Sequence, residues 1–165
     1  MDKLFVIKIG GNVIDNAEAL QTFLSSFASV DAKKVLIHGG GKIATKIGDQ
    51  LGIESKYING RRITDEATID LVTMVYGGLV NKKIVAQLQS LNCNAIGLTG
   101  ADANIIPATK RPVKDIDYGF AGDVNADNIN SSVLDVLLKQ NITPIIAPLT
   151  HDGKGQILNT TSIKL

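Results

Sequence analysis

The sequence has no tryptophan and a single cysteine, Cys93, in 165 residues. One thiol cannot close an internal disulfide, and His38 and His151 are the only histidines. A disulfide-stapled secreted scaffold and a Cys/His zinc module are therefore both excluded, and a reducing, cytoplasmic setting is expected. Excess charge is missing as well. Lys and Arg total 17 against 16 Asp and Glu, a formal charge of +1. That balance gives no general pull toward nucleic acid or an anionic membrane, so any anion must be gripped locally. No apolar run approaches the length of a membrane span or a signal peptide; the one that opens the chain, Leu4 to Ile9, is far too short. No G-x-x-x-x-G-K-[ST] occurs, so a P-loop is excluded.

What is abundant is glycine, 16 residues, in a chain that is 44% hydrophobic and 20% charged. Without repeats, low-complexity tracts or a linker, this reads as one globular domain. Leu4 to Ile9 is a nearly unbroken apolar run, expected as a parallel strand buried on both faces. Leu20, Phe23, Leu24 and Phe27 mark a helix capped by Asp15 or Asn16. A second buried strand, 34–38, precedes a helix with Ile43, Ile47 and Leu51 on its inner face. Asn59-Gly60 predicts a hairpin turn, since both residues tolerate positive φ. Thr64 is expected to cap a long helix running to Leu91, with Gly77-Gly78 as a bend. Further strands are predicted at 94–98 and 142–149, exposed β-structure over 104–118, and a capping-box-like helix start at Ser132 and Asp135. Strands alternating with helices imply α/β layers with their strand-end loops on one edge.

The residues that carry chemistry lie at those strand ends. Lys8-Ile9-Gly10-Gly11 puts an ammonium beside glycines whose amides can approach a phosphate closely, or it is a plain turn with a solvated lysine. His38-Gly39-Gly40-Gly41-Lys42 joins a strand to a helix N-terminus, an anion-favouring place, and three successive glycines exceed what a tight turn needs. His38 itself reads as a structural hydrogen-bonder. Gly39, Gly41 and Ala44 also fit a loose dinucleotide pattern, but Tyr57 to Arg62 stand where its ribose-binding acid belongs. Arg61 and Arg62 follow the hairpin turn and are either carboxylate grips or ordinary surface. Gly97 to Asp102 lines a pocket or makes an Asx-type turn.

Lys8-Ile9-Gly10-Gly11, His38-Gly39-Gly40-Gly41 and Asn59-Gly60-Arg61-Arg62-Ile63-Thr64 together resemble the amino acid kinase family, and within it the kinases of N-acylated glutamate. The likeness extends over residues 3 to 159, taking in Gly122-Asp123-Val124 and the stretch 145–159. It implies a three-layer αβα sandwich with a mainly parallel sheet. It also implies ATP-dependent phosphorylation of the γ-carboxylate of an N-acyl-L-glutamate to an acyl phosphate in arginine biosynthesis, with Mg²⁺ carried by ATP and a cytoplasmic homodimer. By position, the resemblance makes Lys8 catalytic and phosphate-binding, assigns Gly10 and Gly11 to the ATP phosphates, and gives Gly40, Gly41, Arg62 and Asn159 to the amino-acid substrate, with no resident metal. The departure is Thr160-Thr161-Ser162-Ile163, where Ile163 stands in place of the family's organising aspartate, and the nucleotide-binding lobe is expected to be missing. The rival readings are a non-catalytic acylglutamate-binding or regulatory module and a kinase of another acid.

Overall fold

The computed structural model describes residues 3–160. Four parallel strands form its sheet: β1 (Leu4–Ile9), β2 (Lys33–His38), β5 (Ala95–Leu98) and β8 (Thr143–Ile146), in the order β1-β2-β8-β5. Between β1 and β2 run the short α1 (Gly11–Ile14) and α2 (Ala17–Ser29). After β2 come α3 (Gly41–Gln50), the hairpin β3 (Tyr57–Ile58) and β4 (Arg61–Arg62), and α4 (Glu66–Val72). A π-helix over Thr73–Val80 carries α4 into α5 (Asn81–Ser90), which leads to β5. The paired strands β6 (Ala108–Lys110) and β7 (Gly122–Val124) precede α6 (Ser131–Lys139) and β8. The antiparallel pair β9 (Leu149–His151) and β10 (Ile157–Asn159) ends the described chain.

Side-chain alternation splits the core into two faces. Leu36 and Ile145 pack with Leu24, Phe27, Leu71, Ile84 and Leu88 from the helices on one side. Val35, Ile37 and Ile146 pack with Ile105, Ile106 and Leu138 on the other. Helix, sheet and α6 thus make the expected three layers, and each fully buried Leu or Ile stabilises them by roughly 1.5–3 kcal/mol.

Several local expectations give way. β1 is the sheet edge, not an inner strand: Leu4, Phe5 and Val6 are 50%, 44% and 48% exposed, and only Ile9 is buried. The apolar run signals a strand meant to be covered, but no strand or helix of residues 3–160 covers its outer half. On α3 Ile43 and Ile47 pack half-buried against the core as expected, beside the buried Ala44 and Gly48, while Leu51 is left exposed beyond the helix. A Cβ on Gly48 would lie 2.8 Å from Leu71 Cδ2, so glycine lets α3 press on α4. Asn16 caps α2 by accepting from the Ala19 amide, as one of the two candidates.

The cap of α4 is Asp65, whose carboxylate accepts from the Thr68 amide; Thr64 is fully buried and bonded elsewhere. Gly77-Gly78, the expected bend, lie inside the π-helix. The stretch 104–118 holds only the short β6, and Ile105 and Ile106 within it are fully buried under α6. Helix α6 begins at Asn130 without a side-chain cap bond, so no capping box forms at Ser132 and Asp135. Ile163 and its neighbours lie outside the described residues.

Candidate functional site

The carboxyl ends of β1, β2 and β8 lie level, with Lys8 beside Ile37, Ile9 beside His38 and Ile37 beside Ile146. The loops that follow these strands converge there, the usual place for a ligand in an open parallel sheet. They enclose a cavity of about 200 Å³, whose walls include Lys8, Gly39, Gly40, Gly41, Arg62 and Asn159.

The two glycine loops are stitched together. The Gly39 amide donates to Ile9 O at 3.1 Å, and a Cβ on Gly39 would touch Gly10 and Gly11 at 3.8–3.9 Å. Lys42 Nζ reaches from α3 to Asn12 Oδ1 at 3.0 Å on α1. Gly10 and Gly11 border the Gly39 turn without lining the cavity itself. Gly40 has φ +153, where an L side chain is strained, and a Cβ there would lie 3.0 Å from the Tyr76 ring. Gly40 is also the N-cap of α3 with no side-chain capping bond, so the first amides of α3 stay available to an anion.

His38 is buried and serves this loop structurally. Its Nδ1 donates to Gly39 O at 2.7 Å, and its Nε2 accepts from Asn81 Nδ2 at 3.0 Å. Burial holds its pKa down to about 4, so the ring is neutral and its tautomer is fixed by these partners. Asn81 also donates to Ile145 O, and Lys82 donates to Asn81 Oδ1 and Gly97 O. The network therefore joins β2, β8 and β5 beneath the loop.

Arg62 is only 2% exposed, whereas Arg61 remains on the surface. Its guanidinium donates to Gly41 O at 2.8 Å, Thr45 Oγ1 at 2.9 Å and Ser55 Oγ, and lies 4.8 Å from the Tyr57 ring centroid. No carboxylate among the described residues pairs with it. A buried guanidinium held only by neutral groups keeps most of its charge uncompensated. Lys8 makes no ion pair with a described residue either, and no Asp or Glu lines the cavity. Two polar atoms of wall residues are enclosed with no partner among the described residues: Asn159 Oδ1 and Thr160 Oγ1.

Three wall residues were not among the candidate site residues of the sequence. Tyr76 comes from the π-helix, where an aromatic before Gly77-Gly78 was its one visible signal. Burial pushes its hydroxyl pKa up, so it stays protonated and can donate. Tyr57 and Thr160 gave no signal of their own. Conversely, the loop after β5 does not reach the cavity, because Asp102 accepts from the Thr99 amide and hydroxyl in a closed turn.

A larger concavity, about 850 Å³, opens at the other end of the sheet, between Lys3, Asp31, Asn92, Asn94 and Asn141. The C-terminal ends of α2, α5 and α6 border it, and Lys34 Nζ already takes the Ala28 and Val30 carbonyls there. It gathers no strand-end loops, and the smaller cavity is the one with converging chemistry.

The sequence pattern of the amino acid kinase family matches residues 3–163. The chain belongs to the amino acid kinase family. It is 61% identical over 163 residues to an acetylglutamate kinase of Cytophaga hutchinsonii, covering 98% of this chain and 61% of that protein. It is 56% identical to the acetylglutamate kinase of Phocaeicola vulgatus, over 98% of this chain and 62% of the relative. An acetylglutamate kinase of Methanopyrus kandleri is 37% identical over 95% of this chain and 62% of its own length. Among solved structures, a Streptococcus mutans protein superposes with a TM-score of 0.81 at 26% identity, over 95% of this chain and 63% of that one. The chain thus spans about three fifths of the length of the curated amino acid kinases it matches. Among the described residues, no helix is long and apolar enough to cross a membrane.

Proposed function

We propose that this chain is the amino-acid-binding lobe of an acetylglutamate kinase, holding an N-acyl-L-glutamate for phosphorylation of its γ-carboxylate by ATP. The observation that carries the reading is the polarity of the cavity: the cations Lys8 and Arg62, no carboxylate, and the unpartnered acceptor Asn159 Oδ1. Arg62 suits the α-carboxylate, which enters a buried guanidinium lacking its counter-charge. A free α-ammonium would face both cations with nothing to balance it, whereas a neutral amide N–H satisfies Asn159 at no electrostatic cost. The relatives named acetylglutamate kinase support the same substrate class.

The chemistry asks little of the protein beyond placement. A γ-carboxylate oxygen attacks the γ-phosphorus of ATP, the new O–P bond forms as the bond to ADP breaks, and ADP leaves. The carboxylate is ionised at neutral pH, so no general base is needed. Lys8 would stand beside the transferring phosphoryl group, the amides of the Gly10-Gly11 loop would meet its oxygens, and Gly40 and Gly41 would contact the amino-acid substrate. Mg²⁺ would arrive with ATP. We place the adenine-binding lobe in the two fifths of the relatives' length that this chain does not span. The exposed edge of β1 is a fitting surface for it to join. Met74 and Leu79, 58% and 38% exposed on the π-helix, would contribute to a homodimer seam, which sedimentation at several concentrations tests.

Calorimetric titration tests the substrate assignment. The chain should bind N-acetyl-L-glutamate and show at least tenfold weaker binding of free L-glutamate. Arg62→Met should abolish binding of the acylated acid. Equal affinity for the two acids, or unchanged affinity in Arg62→Met, would refute it.

A further inference from the structure

Thr64 lies outside the cavity wall, yet its hydroxyl is joined to both residues assigned to the substrate. It is fully buried, donates to Arg62 O at 3.3 Å, and stands 3.1 Å from Asn159 Nδ2. A hydroxyl carries one proton. Arg62 O can only accept, so that proton is spent there and Thr64 Oγ1 turns a lone pair toward Asn159. The amide must answer with Nδ2–H, which leaves Oδ1 as its free atom, and Oδ1 is the enclosed acceptor that has no partner. Which end of an asparagine amide faces a ligand is settled by such a network.

The backbone leaves Thr64 little freedom to do otherwise. Its amide donates to Tyr118 O at 3.1 Å, and its carbonyl accepts from the Phe120 amide at 2.7 Å. Between those contacts Gly119 sits at φ +66, where a Cβ would fall 2.1 Å from Thr64 O. The Asn159 amide donates to Phe120 O at 2.8 Å, so the segment 118–120 holds both partners at once. The chain of bonds runs from the Arg62 carbonyl through the Thr64 hydroxyl to the carboxamide of Asn159, a residue of the cavity wall, and stops at its enclosed, unpartnered Oδ1.

We infer that Thr64 is the positioning residue that sets the polarity of this site. By fixing the Asn159 amide it makes the cavity select a ligand with an N–H at that point, a secondary amide, over an isosteric ester. The inference rests on the acylglutamate reading given above. A site that commits a buried acceptor to a substrate N–H rejects the analogue lacking it, because the acceptor is then left unpaired against another oxygen.

The experiment compares N-acetyl-L-glutamate with its ester isostere, (S)-2-acetoxyglutarate, by calorimetry. The unmodified chain should prefer the amide by roughly ten- to hundredfold, the range expected for one unpaired buried acceptor. Thr64→Val, which keeps the shape but removes the hydroxyl, should bring the two affinities within about threefold by freeing the amide to rotate, and Thr64→Ser should restore the preference. A folded Thr64→Val chain that still prefers the amide tenfold would overturn the inference. So would an unmodified chain that binds both ligands equally. An unmodified chain that binds neither would overturn the acylglutamate reading itself and this inference with it. Should Thr64→Val not fold, a nuclear Overhauser contact between the Asn159 Nδ2 protons and the Thr64 side chain decides: its presence is expected, and its absence would overturn the assignment.

Discussion

Two residues show how much weight single positions carry here. Gly119 combines a left-handed φ with an approach to Thr64 O that no side chain could share. Gly119→Ala should therefore lower stability by roughly 3 kcal/mol or more, the sum of a left-handed penalty and an overpacked contact, read from the urea midpoint. His38 is held neutral, with its pKa lowered from 6.5 to about 4. The unfolded chain binds the proton first, so stability is complete above pH 6.5 and falls as the pH drops toward 4, by roughly 3 kcal/mol in all. Asp65 and Asp152 are also shifted down, but from 3.8, so their share is lost below this window. Urea midpoints between pH 7 and 4 should fall in the unmodified chain and flatten over that range in His38→Gln. An equal slope in both would remove His38 as the cause. Arg62 shows why residue roles were only half legible: Arg-Arg after a turn is written alike whether the side chain is solvated or sealed. Only the turn geometry put Arg61 outside and Arg62 inside.

At the scale of elements, what the sequence made plain was whatever depends on neighbours along the chain. Asn59-Gly60 gave the hairpin because both residues take positive φ, at +51 and +73. The glycine runs gave the two strand-end loops. The helix stripe of α2 needed only its period of 3.6. What stayed hidden depends on partners distant in sequence. Thr64 looked like a cap because its type and the acids after it fit one, while Asp65 was equally suited and took the bond. Gly48 and Gly97 gave no sign of close packing as letters, yet each admits a neighbour that a methyl would displace. A Cβ on Gly97 would fall 1.9 Å from Asn81 Oδ1, in the network that supports His38. Gly97→Ala should loosen that network, lowering the thermal midpoint and raising exchange at the Gly39 and Gly40 amides. Protection unchanged at those amides would show that the loop stands without it.

For the whole molecule, the sheet order makes β1 an edge, with apolar side chains on both of its faces open. Phe5→Ser should accordingly cost this chain less than about 1 kcal/mol, as expected for a half-exposed site, and a larger loss would mean that the edge is covered in solution. Layered α/β structure was readable from alternating strands and helices, and the family resemblance supplied the three-layer arrangement; the exposed edge was not readable, since an apolar run does not say what covers it. The cavity at the opposite end of that strand remains the centre of the account. A crystal structure of the chain with N-acetyl-L-glutamate tests it most directly. The account predicts the α-carboxylate on the Arg62 guanidinium, the amide N–H on Asn159 Oδ1 and the γ-carboxylate directed toward Lys8. A ligand found with its carboxylate away from Arg62, or seated in the larger concavity at the far end of the sheet, would contradict it.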